Sequence, residues 1–417
     1  MQNKCLNLSH KDGKIEGAVQ LTGSKSECNR ALIIQALSEG RVGIDNISNA
    51  ADTVTLIQAL EAAKKAKDEV VKIDIGPAGT AMRFLTSYLN VIEGSFELTG
   101  TQRMQERPIG VLTDALKALG ADISFLKEQG FPPLTIQGRM QQTTDEVQIN
   151  GNISSQYITS LLLIAPVLKN GLTLKIQGDL TSRPYVSMTL EMMANAGIAY
   201  TWDQNTIHIP AQPYQKTTLT VEPDWSAASY WYSMVALSKS GELLLKGLKK
   251  DSVQGDSEIA RIMIHFGVKS TFLEEGVLLQ KTHEQSDKTH FDFIECPDLA
   301  QTIVVLATAL KKDLSLSGLE TLKIKETDRV AALQNEIGKY GGELTEDNGT
   351  YYLKTENVHF TQGLQFATYE DHRMAMAFAP LALMGVAIRI EEPEVVVKSY
   401  PDFWKDLEKA GFKVENC

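Results

Sequence analysis

The chain has little cysteine, and what it has is scattered. Cys5, Cys28, Cys296 and Cys417 are its only four in 417 residues, with no CxxC pair. That excludes the usual cysteine zinc sites and leads to the expectation of no metal and a reduced, cytoplasmic setting. The seven histidines show no HxxxH or HExxH spacing. Long apolar runs are missing too, since stretches such as 161–168 are too short to span a bilayer. The opening MQNKCLNLSHKDGKIEG lacks an apolar core, so no secretory leader is expected. Positive charge is in deficit: Lys+Arg is 41 against 52 for Asp+Glu, a net charge of −11. Such a balance excludes gripping nucleic acid or an anionic membrane through the overall field. Any anion must be held by a local cluster of cations.

Enough is present for two or three domains. Hydrophobic residues make up 43%, which can fill sizeable cores, and 22% charged residues argue against disorder. A weak repeat of an amphipathic helix, a glycine and a strand recurs through the chain. Its copies begin at Val111, Val186, Ile259, Arg329 and Phe403, with a degenerate first copy at Asp52. Glycine suits the end of such a helix because a left-handed residue is cheap only for glycine. Six copies imply two lobes of three, divided at 1–22 plus 224–417 and 23–223. The last copy lacks a partner for its strand, so the N-terminal strand is expected to pair there. Ligand motifs fall in both lobes, which places the expected site in a cleft between them.

The densest motif is Lys325-Glu326-Thr327-Asp328-Arg329, two cations and two carboxylates in five residues. Others are Gly23-Ser-Lys-Ser26, Gly79-Thr80, Glu106-Arg-Pro-Ile109, Ser154-Ser-Gln156, Ser182-Arg-Pro-Tyr185, Pro297-Asp-Leu-Ala300, Asp371-His-Arg373 and Lys398. Each has a plain reading as well. Ser154 and Asp298 can be helix N-caps, Glu326 and Asp328 can pair with Lys325 and Arg329, and Arg30 is expected to project from the first turn of its helix. Glycines and hydroxyls at helix starts nevertheless suit a bound anion. Together the motifs supply cations, hydroxyls and carboxylates for holding a small polyanion and moving protons on it.

In that order and number, the motifs resemble the 5-enolpyruvylshikimate-3-phosphate (EPSP) synthases of the enolpyruvyl transferase superfamily, from Gly23-Ser-Lys-Ser to Lys398-Ser-Tyr-Pro. The resemblance implies a two-lobed inside-out α/β barrel, each lobe built of three βαβαββ-type repeats that close over the ligands. It implies transfer of the enolpyruvyl group of phosphoenolpyruvate to the 5-hydroxyl of shikimate 3-phosphate, by addition and then elimination of phosphate. By resemblance Asp298 is the proton acceptor for the 5-hydroxyl, Glu326 the donor to the methylene, and Lys25 touches both substrates. Gly79, Thr80, Arg107, Arg329, Arg373 and Lys398 match the phosphoenolpyruvate site. Ser26, Arg30, Ser154, Ser155, Gln156, Ser182 and Lys325 match the shikimate 3-phosphate site together with Asp298, and Tyr185 is a weaker match. No cofactor, nucleic acid or membrane partner is implied, and a monomer is expected. The resemblance also implies competition by glyphosate at the phosphoenolpyruvate site. Two departures stand out. Pro77 replaces the family's asparagine before the Gly-Thr turn, and proline lacks an N–H donor. The asparagine often found before KETDR is absent, with Thr321 or Lys323 in its region.

The nearest rival is UDP-N-acetylglucosamine enolpyruvyl transferase. That family has Lys-Asn where this chain has Lys25-Ser26, and a reactive cysteine in a loop that here, over 99–110, has none. A non-catalytic anion-binding relative is the other alternative. It would have no need of the paired carboxylates.

Overall fold

The computed structural model describes residues 4–66, 69–152, 154–284 and 286–417. The chain divides into two compact units, Met1–Thr22 with Glu222–Cys417, and Gly23–Val221.

The discontinuous unit holds three four-stranded sheets with one plan. In the first, Lys14–Gln20 runs parallel to Ser240–Lys246, which pairs antiparallel with Gly276–Lys281, itself antiparallel to Val268–Leu273. A parallel pair needs a long crossover, usually helical. Here the crossover carries the helix Trp225–Leu237 and the whole of the other unit. The second sheet repeats the plan with His290–Asp292, Leu314–Ser317, Thr350–Lys354 and Glu343–Asp347.

In the third sheet Leu364–Phe366 runs parallel to Ile388–Glu391. The strand that completes it is Cys5–His10, lying antiparallel between Ile388–Glu391 and Phe412–Asn416. The N-terminal strand therefore does fill the place left by the last copy. This register brings Cys5 beside Cys417, with Cα atoms 5.5 Å apart, and the two form a disulfide. The expectation of four reduced cysteines is corrected for this pair. Strand pairing joins positions 412 residues apart, which spacing cannot reveal. Cys28 and Cys296 are free and buried.

The continuous unit has two sheets of the same plan, one containing Val70–Asp74, Ser95–Thr99, Leu134–Gln137 and Asp122–Phe125. The other contains Glu146–Asn150, Leu172–Gln177, Thr206–Ile209 and Thr201–Asp203. Its third sheet is only a parallel pair, Thr217–Thr220 with Val42–Asp45. The expected third hairpin is absent among the described residues. After the helix Ala51–Ala63, the degenerate copy, the next strand is already Val70–Asp74 of the neighbouring sheet.

The repeat glycines Gly120, Gly197, Gly267, Gly341 and Gly411 all have positive φ. At Gly120 (φ 108°) a Cβ would also stand 2.0 Å from the carbonyl oxygen of Gln141, so glycine is required twice over.

Helices form the inside of each unit. Every residue of Trp225–Leu237 except Ser226 is buried, as are all of Ala300–Ala309 and His372–Phe378. These three pack on one another. In the other unit Gly79–Val91 packs on Ser155–Ile164, and Arg183–Asn195 packs on both Ser155–Ile164 and Lys25–Leu37. Helices that are apolar nearly all round must be enclosed. The sheets enclose them and alternate, as in Glu146–Asn150, between buried and exposed positions.

Candidate active site

In the continuous unit, the sequence-predicted residues gather at helix N-termini. Ser24 caps Lys25–Leu37 by accepting from the Glu27 N–H, placing Lys25 and Ser26 in the first turn. Gly79 and Thr80 open Gly79–Val91. Ser154 caps Ser155–Ile164 by accepting from the Gln156 N–H. Ser182 precedes Arg183–Asn195 in a left-handed conformation (φ 54°) that serine adopts only at a cost. Side chains tie these ends together. Gln156 Nε2 donates to Thr80 Oγ1 at 3.2 Å. Lys25 Nζ pairs with the buried Asp52 at 3.3 Å. Four helix N-termini present N–H groups and positive dipole ends, the chemistry of an anion site.

Arg30 behaves differently from its expectation. It lies in the second turn and is buried rather than projecting from the first. Its Nε donates to Thr189 Oγ1 and its Nη1 to the Ser26 carbonyl, each at 2.8 Å, while Nη2 donates to the Tyr185 carbonyl at 3.3 Å. The rings of Phe84 and Tyr185 each lie 5.6 Å from its guanidinium carbon. Arg30 thereby ties Lys25–Leu37 to Arg183–Asn195 from within a packed cluster. Arg107 is buried, and its Nε has no hydrogen-bond partner among the described residues. Its guanidinium lies against Gly79, where a Cβ would stand 2.7 Å from Nη1.

In the discontinuous unit the predicted cations and carboxylates form one network. Asp298 is not a helix cap. It sits in a 3-10 turn, Pro297–Leu299, ahead of Ala300–Ala309, and its carboxylate points to cations. Arg329 is the first residue of Arg329–Gly338, whose N-cap is Asp328. Its guanidinium, 2% exposed, donates through Nη1 to Asp298 at 2.9 Å, Nη2 to Glu326 at 3.0 Å and Nε to Asp371 at 2.7 Å. Arg373 donates to the other oxygen of Asp298 at 2.9 Å, and Lys398 pairs with Glu326 at 3.1 Å. Asp371 caps His372–Phe378 by accepting from the Arg373 N–H. The KETDR and DHR motifs are thus two helix starts joined through Arg329.

Charge decides the protonation of Asp298. Burial pushes its pKa up, but Arg373, Lys325 and Arg329 outweigh that and hold it well below the usual carboxylate range. Burial alone would lower the pKa of Arg329, yet Asp371, Glu326 and Asp298 raise it further, so its charge is permanent. Asp52, Ser226, Tyr230 and Asp256 belong to these networks and carry no motif in the sequence. Asp371 stood inside the DHR motif, and its role as the anchor of Arg329 appears only in three dimensions.

Residues 10–407 match the EPSP synthase (3-phosphoshikimate 1-carboxyvinyltransferase) family. The chain belongs to the EPSP synthase family. A 3-phosphoshikimate 1-carboxyvinyltransferase of Bacteroides fragilis is 47% identical over 405 residues, covering 96% of this chain and 97% of its own. One from Photobacterium damsela subsp. piscicida is 37% identical over 419 residues, covering 95% and 97%. Among solved structures, EPSP synthase from Acinetobacter baumannii superposes with TM-score 0.80 at 19% identity, over 99% of this chain and all of that one. The enolpyruvyl transferase NikO from Streptomyces tendae gives TM-score 0.72 at 14% identity, over 100% and 99%. At such identities these two likenesses establish the fold, an enolpyruvyl transferase α/β architecture.

The activity is that of the family: transfer of the enolpyruvyl group from phosphoenolpyruvate to shikimate 3-phosphate, a step of aromatic amino acid biosynthesis. No helix among the described residues is long and apolar enough to cross a membrane.

Proposed function

We propose that the chain performs this transfer on the 5-hydroxyl of shikimate 3-phosphate, with Asp298 and Glu326 moving the protons. The observation that carries the reading is the position of both carboxylates on one buried guanidinium, that of Arg329. Asp298 accepts the 5-hydroxyl proton as the oxygen bonds to C2 of phosphoenolpyruvate, and Glu326 delivers a proton to the methylene carbon. The tetrahedral intermediate then loses phosphate as the C–O(P) bond breaks and the methyl group gives up a proton. Arg107, Arg329, Arg373 and Lys398, with Gly79 and Thr80, hold the phosphate and carboxylate of phosphoenolpyruvate. Ser26, Ser154, Ser155, Gln156, Ser182 and Lys325 hold shikimate 3-phosphate. Lys25 serves both, and Arg30 braces the helix starts.

The ion pairs make this order of events physical. Asp298 is tied to Arg329 and Arg373, which hold it well below the usual carboxylate range, and Glu326 is tied to Arg329 and Lys398. An incoming phosphate and carboxylate compete for the same cations, and an added negative charge raises the proton affinity of a neighbouring carboxylate. Substrate binding thereby turns anchored carboxylates into proton carriers within reach of general acid–base work.

All these residues lie on one chain, which supports a monomer. Phosphoenolpyruvate is a charged metabolite that does not cross membranes unaided, which supports a cytoplasmic enzyme. Phosphate release from phosphoenolpyruvate, measured with shikimate 3-phosphate, with UDP-N-acetylglucosamine and with neither, tests the reading. Release with shikimate 3-phosphate alone is expected; release only with the nucleotide sugar, or none, overturns it.

A further inference from the structure

One buried carboxyl near this network has no part in the chemistry above. Asp256 lies in a 3-10 turn, Gly255–Glu258, and is 4% exposed. Its Oδ2 accepts a hydrogen bond from Ser226, in the first turn of Trp225–Leu237. Ser226 Oγ in turn accepts from Arg373 Nη2 at 3.4 Å. Tyr230, one turn further along the same helix, takes Nη1 at 3.4 Å. The same Nη2 of Arg373 donates to Asp298 at 2.9 Å. A chain of contacts therefore runs from a buried carboxyl through a hydroxyl and a guanidinium to Asp298. The other oxygen of Asp256 is buried without a hydrogen-bond partner among the described residues. Leaving a carboxyl oxygen buried and unsatisfied is costly. An apolar residue would fill the space without that cost.

We propose that Asp256 is a positioning residue: through Ser226 it fixes the guanidinium of Arg373, and Arg373 fixes Asp298. The proposal rests on Asp298 being the proton acceptor. The ionised form of Asp256 suits this role. It accepts the Ser226 hydroxyl hydrogen and so turns the oxygen lone pairs of Ser226 toward Arg373. A protonated Asp256 would offer its own hydrogen to Ser226 Oγ and compete with Arg373 for those lone pairs.

Burial, then the nearby charge of Asp298, push Asp256 up to about 7, with Arg373 opposing. The titratable groups around it are Asp298, Arg373, Asp224 and the Cys296 thiol, with Glu258 on its own turn. Arg373 is accordingly held firmly above neutral pH and loosely below it.

The test is kcat/KM for phosphoenolpyruvate in wild type, Asp256→Asn, Ser226→Ala and Asp298→Asn, from about pH 5.5 to 8.5, which brackets a carboxyl raised to neutrality. The ratio of wild type to Asp256→Asn is expected to climb from near one at the acid end to about tenfold at the alkaline end, the worth of one hydrogen bond to a charged group. Ser226→Ala breaks the relay without touching the carboxyl and should show the same climb, so a misfolded Asp256→Asn would not stop the test. A ratio independent of pH in the folded variants overturns the proposal, because a merely structural loss does not titrate. Near-normal turnover in Asp298→Asn would instead overturn the reading of Asp298 beneath it.

Discussion

Asp298 and Glu326 are bound to the two terminal nitrogens of one guanidinium, at 2.9 and 3.0 Å, while the remaining Nε of Arg329 is held by Asp371. A planar fork of donors can do this, and an ammonium cannot. Arg329→Lys should therefore lose most activity although the charge is kept. Arg329→Ala should also destabilise the protein by about 3–5 kcal/mol, the scale for uncompensated buried charge. Chemical denaturation and steady-state rates measure both; a Lys variant with wild-type turnover would show that the fork is dispensable.

Asp298→Asn and Glu326→Gln should each reduce turnover by about 10²–10⁴, the usual contribution of a general acid or base. Glu326→Gln should keep its affinity for shikimate 3-phosphate, because the proposed acid faces the methylene of the other substrate. Isothermal titration of that variant checks the second statement, and rapid-quench turnover the first.

Gly79→Ala places a methyl 2.7 Å from Arg107 Nη1 and 3.2 Å from its Cζ. The added methyl should crowd glyphosate, which is longer than phosphoenolpyruvate, more than the substrate. The structure adds that Arg107 itself must shift. The KM for phosphoenolpyruvate should therefore rise as glyphosate inhibition weakens, the latter by about one to two orders of magnitude for an overpacking cost of about 1–3 kcal/mol. Competition assays that leave KM unchanged would contradict the Arg107 contact.

The pH dependence of stability separates two carboxyls of opposite sign. Asp298 is lowered in the fold, so its contribution is present above its unfolded pKa, about 3.9, and is lost as pH falls below that. Asp256 is raised to about 7, so it costs stability progressively as pH climbs from about 4 through 7. Asp256→Asn should then melt at a higher temperature than wild type at about pH 8 and differ little at about pH 4. A constant offset across that range would show that its ionisation is not linked to folding.

Local chemistry was what the sequence could show. A serine or aspartate before a helix can cap it on local chemistry alone, and Ser24, Ser154, Asp328 and Asp371 all cap helices that carry motif residues, whereas Asp298 turns to cations instead. The repeat glycines were readable for the same reason, because a left-handed helix end depends on its own residue. Partners across the fold were not readable. Nothing near Lys25 points to Asp52, and nothing near Arg373 points to Ser226 or Asp256. Arg30 was expected to project because its helix position was visible while the ring of Phe84 was not. The truncated third sheet escaped for another reason: Asp52 begins a good helix whether or not a hairpin follows.

The placement of Cys5–His10 between Ile388–Glu391 and Phe412–Asn416 imposes an order on folding. Domains tend to fold as units while the chain emerges. The continuous unit Gly23–Val221 can complete itself once its last strand has left the ribosome. The first strand to emerge must wait for the last two, leaving its hydrogen-bonding edges unpaired throughout. Its short length, six residues, and the glycine-free alternation Cys5-Leu-Asn-Leu-Ser-His10 give it an apolar side exposed for that whole interval. The strand Cys5–His10 thus closes its sheet only after Ile388–Glu391 and Phe412–Asn416 have formed.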